Sequence, residues 1–139
     1  MSRETKKLTR NAVLSLKTHT PTHTEMFDFE KLMVYQKAKA YNIKVNAFLS
    51  DTKINRTTND QLRRASFSIM LNIAEGTGRF TKPDRKNFYI IARGSTFECV
   101  AIFDYLKDIE IISEDIFNSF YSDSEELSKM LFSLIKGLT

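Results

Sequence analysis

The chain has 139 residues, 42% hydrophobic and 27% charged, with a formal net charge of +4: one domain's worth, long enough to bury a sizeable core. One Cys excludes an intramolecular disulfide framework and fits a reducing compartment, and four Gly and two Pro leave few breaks, which favours long helices over many short strands. No apolar run approaches the roughly 18 residues of a membrane span, and no apolar secretory core opens the chain, so a cytoplasmic location without membrane contact is expected.

Residues 1–24 carry Arg3, Lys6, Lys7, Arg10 and Lys17 against Glu4 alone. Rich in Thr and Ser and closing on THTPTH, they read as a flexible basic tail with at most a transient helix over 8–17. Their lack of acid beside Ser and Arg is a weak echo of a transit peptide. His19 and His23 stand four apart, but Pro21 breaks the helix that would place them on one face. The folded domain is expected over residues 25–139. There the charge is segregated: residues 25–93 hold 13 basic and 7 acidic side chains, residues 94–139 hold 3 and 9. That asymmetry suits steering of partners or head-to-tail self-association, or pairing between neighbouring helices.

The first helix is expected from Asp28, as N-cap, to about Ser50, with Phe29, Leu32, Gln36, Ala40, Ile43 and Ala47 on one face. DTKINRTT (51–58) reads as a loop. A second helix, from Thr58 or Asn59 to Gly76–Gly78, presents Leu62, Ala65, Ile69, Ile73 and Gly76. Phe67, Met70, Leu71 and Ala74 lie elsewhere on its circumference, so it is either central or shared with another subunit. Gly76 and Gly78 suit its end. GTGR follows a helix and lacks the Gly-Lys-Ser/Thr ending of a phosphate-binding loop.

Pro83 and Asp84 open the third helix, with a stripe of Phe88, Ala92, Ser95, Cys99, Ile102, Leu106 and Ile109. Cys99 on that stripe reads as core filler. Gly94 interrupts it at about 1 kcal/mol relative to Ala, a cost that a closely pressing backbone would explain. The fourth helix starts after Ser113, with Glu114 and Asp115 in its first turn and Phe117, Phe120, Ser124, Leu127, Leu131, Leu134 and Leu138 on one stripe. Four helices with short connections imply an all-α, up-down antiparallel four-helix bundle.

Catalytic constellations are absent. Glu75, Glu98, Arg64, Arg79 and Arg93 could do acid–base work, but bundle metal sites use Glu-x-x-His pairs and no His follows residue 23. Ser66, Ser68 and Ser95 likewise have no His to act as base. The expectation is no enzyme, no metal and no cofactor. Instead, Arg64, Asn72, Glu75, Arg79, Arg93 and Glu98 are expected to form a polar network between the second and third helices or across subunits. The candidate nucleic-acid contacts are Arg63 and Arg64 near the start of helix two, beside Arg56, and Arg79, Lys82, Arg85 and Lys86 around the turn into helix three. Phe80 is available there for base stacking.

LMVYQKA (32–38), QLRRA (61–65) with Ser68-Ile69, NIAEG (72–76) with Arg79, and ARGS (92–95) with Glu98 occur in an order that resembles a known family. These are the small four-helix proteins encoded within intervening sequences of bacterial 23S ribosomal RNA genes. The resemblance spans about residues 27–138. It implies a ring-like homo-oligomer, typically a pentamer, and a structural or RNA-associated role. More distantly the chain resembles accessory proteins of diversity-generating retroelements, which form similar rings and work with a reverse transcriptase and RNA. Tyr35 stands where many family members have Trp. The resulting expectation is a non-enzymatic, self-assembling bundle that binds structured RNA; the alternative is a protein-interaction scaffold that binds no nucleic acid.

Overall fold

The computed structural model describes residues 27–139. The expected tail over 1–24, its transient helix and the His19–His23 pair lie outside the described residues. After a short 3-10 turn at Asp28–Lys31, four helices follow: α1 (Met33–Asp51), α2 (Arg56–Thr77), α3 (Lys82–Asp108) and α4 (Glu114–Gly137). They form an up-down bundle in which each helix packs on the next, and α4 returns against α1.

The helix boundaries follow local capping. Asn55 Oδ1 accepts from the Thr57 and Thr58 amides at 2.9 and 3.4 Å and starts α2, a few residues before the expected Thr58 or Asn59. Thr81 Oγ1 accepts from the Asp84 amide at 3.3 Å and starts α3, with Pro83 in the first turn. Ser113 Oγ accepts from the Ile116 amide at 3.2 Å and starts α4. Each satisfies one or two of the amides that a helix start leaves orphaned. α1 differs from expectation: Asp28 opens the 3-10 turn, and α1 begins at Met33 after an extended Leu32 without a side-chain cap.

That interruption rotates the buried face of α1. Its core residues are Val34, Ala38, Tyr41, Val45 and Phe48, whereas Ile43, on the expected stripe, is 47% exposed. Helical stepping from Phe29 passes through a turn that is not α-helical and so carries the wrong phase into the helix. On α3 the most buried line is Tyr89, Ala92, Thr96, Cys99, Phe103 and Leu106. The expected Phe88, Ser95 and Ile102 are only half-buried, and Ile109 is exposed beyond the helix end. α3 packs on both α2 and α4, so its deepest line points between its two neighbours. On α2 and α4 the expected faces are the buried ones: Leu62, Ala65, Ile69, Ile73 and Gly76, and Phe120, Ser124, Leu127 and Leu131.

The core centres on three rings from three helices. Phe103 and Phe120 stack at 4.0 Å between centroids, and Phe48 packs on them at 5.6 and 5.5 Å. Aromatic pairs of this kind add about 0.5–1.5 kcal/mol beyond area burial. Side chains tie α1 to α4. Lys44, buried, donates to Ser119 Oγ at 2.6 Å and Asp123 Oδ2 at 2.7 Å and lies 4.5 Å over the Phe120 ring. Lys37 pairs with Glu126, so part of the segregated charge is matched between these helices. Tyr41 is within 2.9 Å of Ser124 Oγ, which donates to the Phe120 carbonyl at 2.7 Å. Burial pushes the Tyr41 hydroxyl well above its ordinary range and the Cys99 thiol up to about 12, which leaves Cys99 a neutral core group rather than a nucleophile.

Candidate nucleic-acid interface

The two expected basic clusters sit at opposite ends of α2. Fifteen residues separate Arg64 from Arg79, about 22 Å at the helical rise. Near the start, Arg63 donates to Asn59 Oδ1 at 3.3 Å, and Arg64 is exposed.

The second cluster is built around the α2–α3 turn. α2 ends as the Gly78 amide bonds back to Ala74 O and Glu75 O at 3.3 and 3.2 Å, and the Arg79 amide bonds to Gly76 O at 3.1 Å. The Arg79 guanidinium donates to Glu75 Oε1 at 2.6 Å and lies 4.6 Å over the Phe88 ring. Arg85 Nε donates to Arg79 O at 2.6 Å. Both arginines are therefore oriented, which lowers the entropy lost when they engage an anion. Lys82 is exposed and Lys86 half-buried. Between Arg79 and Lys82 stands Phe80, 100% exposed, at the tip of the turn.

Of the expected polar network, the protomer assembles only part. Asn72 Nδ2 donates to Ser68 O and Ser68 Oγ at 2.8 and 2.9 Å, and Ser95 Oγ donates to Ser68 Oγ at 2.9 Å, joining α2 to α3. Glu75 and Arg79 pair with each other at the end of α2. Glu98 accepts from Gln61 Nε2 across the same helix pair. Arg93 turns toward α4, 4.7 Å from the Phe97 ring centroid and 5.6 Å from that of Phe132, and Arg64 joins neither group. Thr77 Oγ1 and Tyr89 OH, 2.7 Å apart, add an α2–α3 tie that no sequence pattern signalled, because both residues read as ordinary helix members. Lys44 was missed for a related reason: a lysine beside the core stripe gives no sign of a buried partner.

Ser66 Oγ bonds to Asn42 Oδ1 at 2.9 Å and to Arg63 O at 3.1 Å. Among the described residues no group of three or more His, Cys, Asp or Glu could hold a metal, and no helix is long and apolar enough to cross a membrane. What the α2–α3 turn offers is fixed cations beside a bare ring, the chemistry of phosphate contact and base stacking.

The 23S rRNA-intervening sequence protein family matches residues 30–133. The chain belongs to this family. The LMVYQKA, QLRRA, NIAEG and ARGS segments all lie within that match. The fold is also similar to the crystal structure of a protein of unknown function from the S23 ribosomal protein family of Bacteroides thetaiotaomicron. The two share a TM-score of 0.71 and 24% sequence identity over 74% of this chain and 98% of the other. No curated protein matches the chain.

Proposed function

We propose that the protein is a non-enzymatic bundle that self-assembles into a ring-like homo-oligomer and binds structured RNA through the α2–α3 turn. The observation that carries the RNA reading is Phe80. A wholly exposed aromatic ring contributes nothing to the core, and it is flanked by Arg79, Lys82, Arg85 and Lys86. Stacking on an aromatic ring contributes about 1–3 kcal/mol per base, while the surrounding cations contact phosphates irrespective of sequence. Arg63 and Arg64 form a second, separate basic cluster at the other end of α2.

Self-assembly is supported by apolar surface that the protomer does not cover. Phe67 and Leu71 on α2 are 48% and 45% exposed, and Ile90, Ile91 and Phe97 on α3 are 49%, 43% and 54% exposed. Covering these side chains would give a contact between copies its apolar part.

The test is binding of a structured RNA hairpin by the full chain and by Phe80→Ala and Lys82→Gln variants. The proposal expects Phe80→Ala to weaken binding about tenfold, as loss of one stacked base implies. Unchanged affinity in both variants would remove the turn from the interface. Absence of RNA binding by the wild-type chain, with capture of a protein partner that is insensitive to salt, would favour a scaffold.

A further inference from the structure

Phe80 stands in the turn between α2 and α3 with its whole surface bare, so both faces of its ring are open. A base inside an A-form stem has no free face to offer, because its neighbours above and below cover it. Prising such a step apart costs about as much as stacking on one ring returns. A lone ring at the tip of a turn is therefore suited to a base that is already unstacked, in a loop, a bulge or a single strand.

The cations beside the ring have the same narrow character. Lys82, Arg85 and Lys86 are spaced i, i+3 and i+4 in the first turns of α3, so they share one face of the helix. Lys82 and Lys86 stand about 6 Å apart along its axis. Asp84 falls on the far side, roughly 160° from Lys82 at 3.6 residues per turn, and is exposed. Arg79, on the α2 side of the ring, is already paired with Glu75. The free positive charge is thus a single strip running from Phe80 down α3, with a carboxylate on either flank. Such a strip fits the phosphates of one strand, whereas the two phosphate rows of a duplex would also meet the acids.

We propose that the α2–α3 turn takes an unpaired segment of RNA, with one base stacked on Phe80 and the adjoining phosphates lying along Lys82, Arg85 and Lys86. The inference rests on the RNA reading above and names the part of a structured RNA that the turn contacts. Every base has a face to stack, so the contact carries little preference for sequence.

The experiment is fluorescence anisotropy of the full chain with three RNAs of equal phosphate number. They are a hairpin with an unpaired loop, the same hairpin with abasic loop nucleotides, and a fully paired duplex. The wild type should bind the intact hairpin about tenfold tighter than either of the others. Phe80→Ala should bind all three alike, and Phe80→Tyr should keep the preference. Lys82→Gln should weaken all three by a similar factor, because phosphates are common to them. Equal affinity of the wild type for the three RNAs overturns this inference and leaves the RNA reading standing. A hairpin preference that survives Phe80→Ala overturns it as well. Failure of the wild type to bind any of the three overturns the RNA reading, and this inference with it.

Discussion

Gly76 lies so close to Phe88 that a β-carbon on it would stand 2.8 Å from the Phe88 β-carbon, 3.1 Å from the Tyr89 ring and 3.3 Å from the Arg85 carbonyl. A β-carbon is fixed to its backbone, so neither side of the Gly76–Phe88 contact can swing aside. The glycine is what lets the last turn of α2 meet the first turns of α3 and so sets the base of the basic turn. Gly76→Ala is expected to destabilise the bundle by about 1–3 kcal/mol through overpacking, in spite of alanine's better helix propensity. Urea unfolding followed by circular dichroism checks this; equal or greater stability would mean that the helices separate without cost.

The Lys44–Asp123 pair should respond unequally to losing either member. Asp123 is 40% exposed and Lys44 only 7% at the side chain, so water can replace the lysine for the aspartate but not the reverse. Lys44→Met keeps the apolar stem and is expected to cost less than about 1 kcal/mol. Asp123→Ala strands a buried ammonium on Ser119 and the Phe120 ring and is expected to cost about 2 kcal/mol or more. Thermal melting of the two variants gives the comparison.

Cys99 makes stability depend on alkaline pH. Its folded thiol is held up to about 12 by burial, while an unfolded thiol titrates near 8.5. Between these values the unfolded chain binds fewer protons than the folded one, so stability falls as pH rises, by up to about 1.4 kcal/mol per unit from this group. Cys99→Ala should make the fall between about pH 9 and 11 shallower, leaving the part that comes from the buried Tyr41 hydroxyl, and the wild-type thiol should react with a thiol reagent only on unfolding. Rapid modification of the folded protein would place Cys99 at the surface.

Glu110 holds φ at 61°, a left-handed conformation that ends α3. The Ile111 amide bonds to Leu106 O at 2.9 Å and the Glu110 amide to Lys107 O at 3.0 Å, which is the paired bonding of a Schellman ending. Glycine adopts that conformation without strain, so Glu110→Gly is expected to raise stability by about 0.5–1 kcal/mol. Chemical denaturation midpoints measure the shift, and a lowered midpoint would contradict it.

Legibility of the sequence varied with how cleanly each helix begins. Ser113 caps α4 and its stripe runs unbroken from Phe117, so the face was readable in full. On α2 the apolar face was equally plain even though the start was misplaced, because Leu62 to Gly76 keeps its period whichever residue caps it. α1 failed because helical stepping was carried through a 3-10 turn. On α3 the buried line falls one position beyond Phe88, Ser95 and Ile102, because a helix between two neighbours has a wide apolar band with no sharp centre. The NIAEG glycine could be placed on a buried face, but its near contact with Phe88 depends on how two helices cross, which no single segment encodes. Gly94 was expected to meet a neighbouring backbone, and within the protomer it meets none. Arg93 and Glu98 were readable as unusual residues; that one turns to Phe132 and the other to Gln61 depends on tertiary packing.

The most direct measurement is the salt dependence of binding between the full chain and a structured RNA, at about 50 and 200 mM salt, for the wild type and for a Lys82→Gln, Arg85→Gln, Lys86→Gln triple variant. RNA binding through the α2–α3 turn predicts affinity that falls steeply with salt in the wild type and a slope reduced by about two to three in the variant. Equal slopes, or no RNA binding by the wild type at the lower salt, would contradict it.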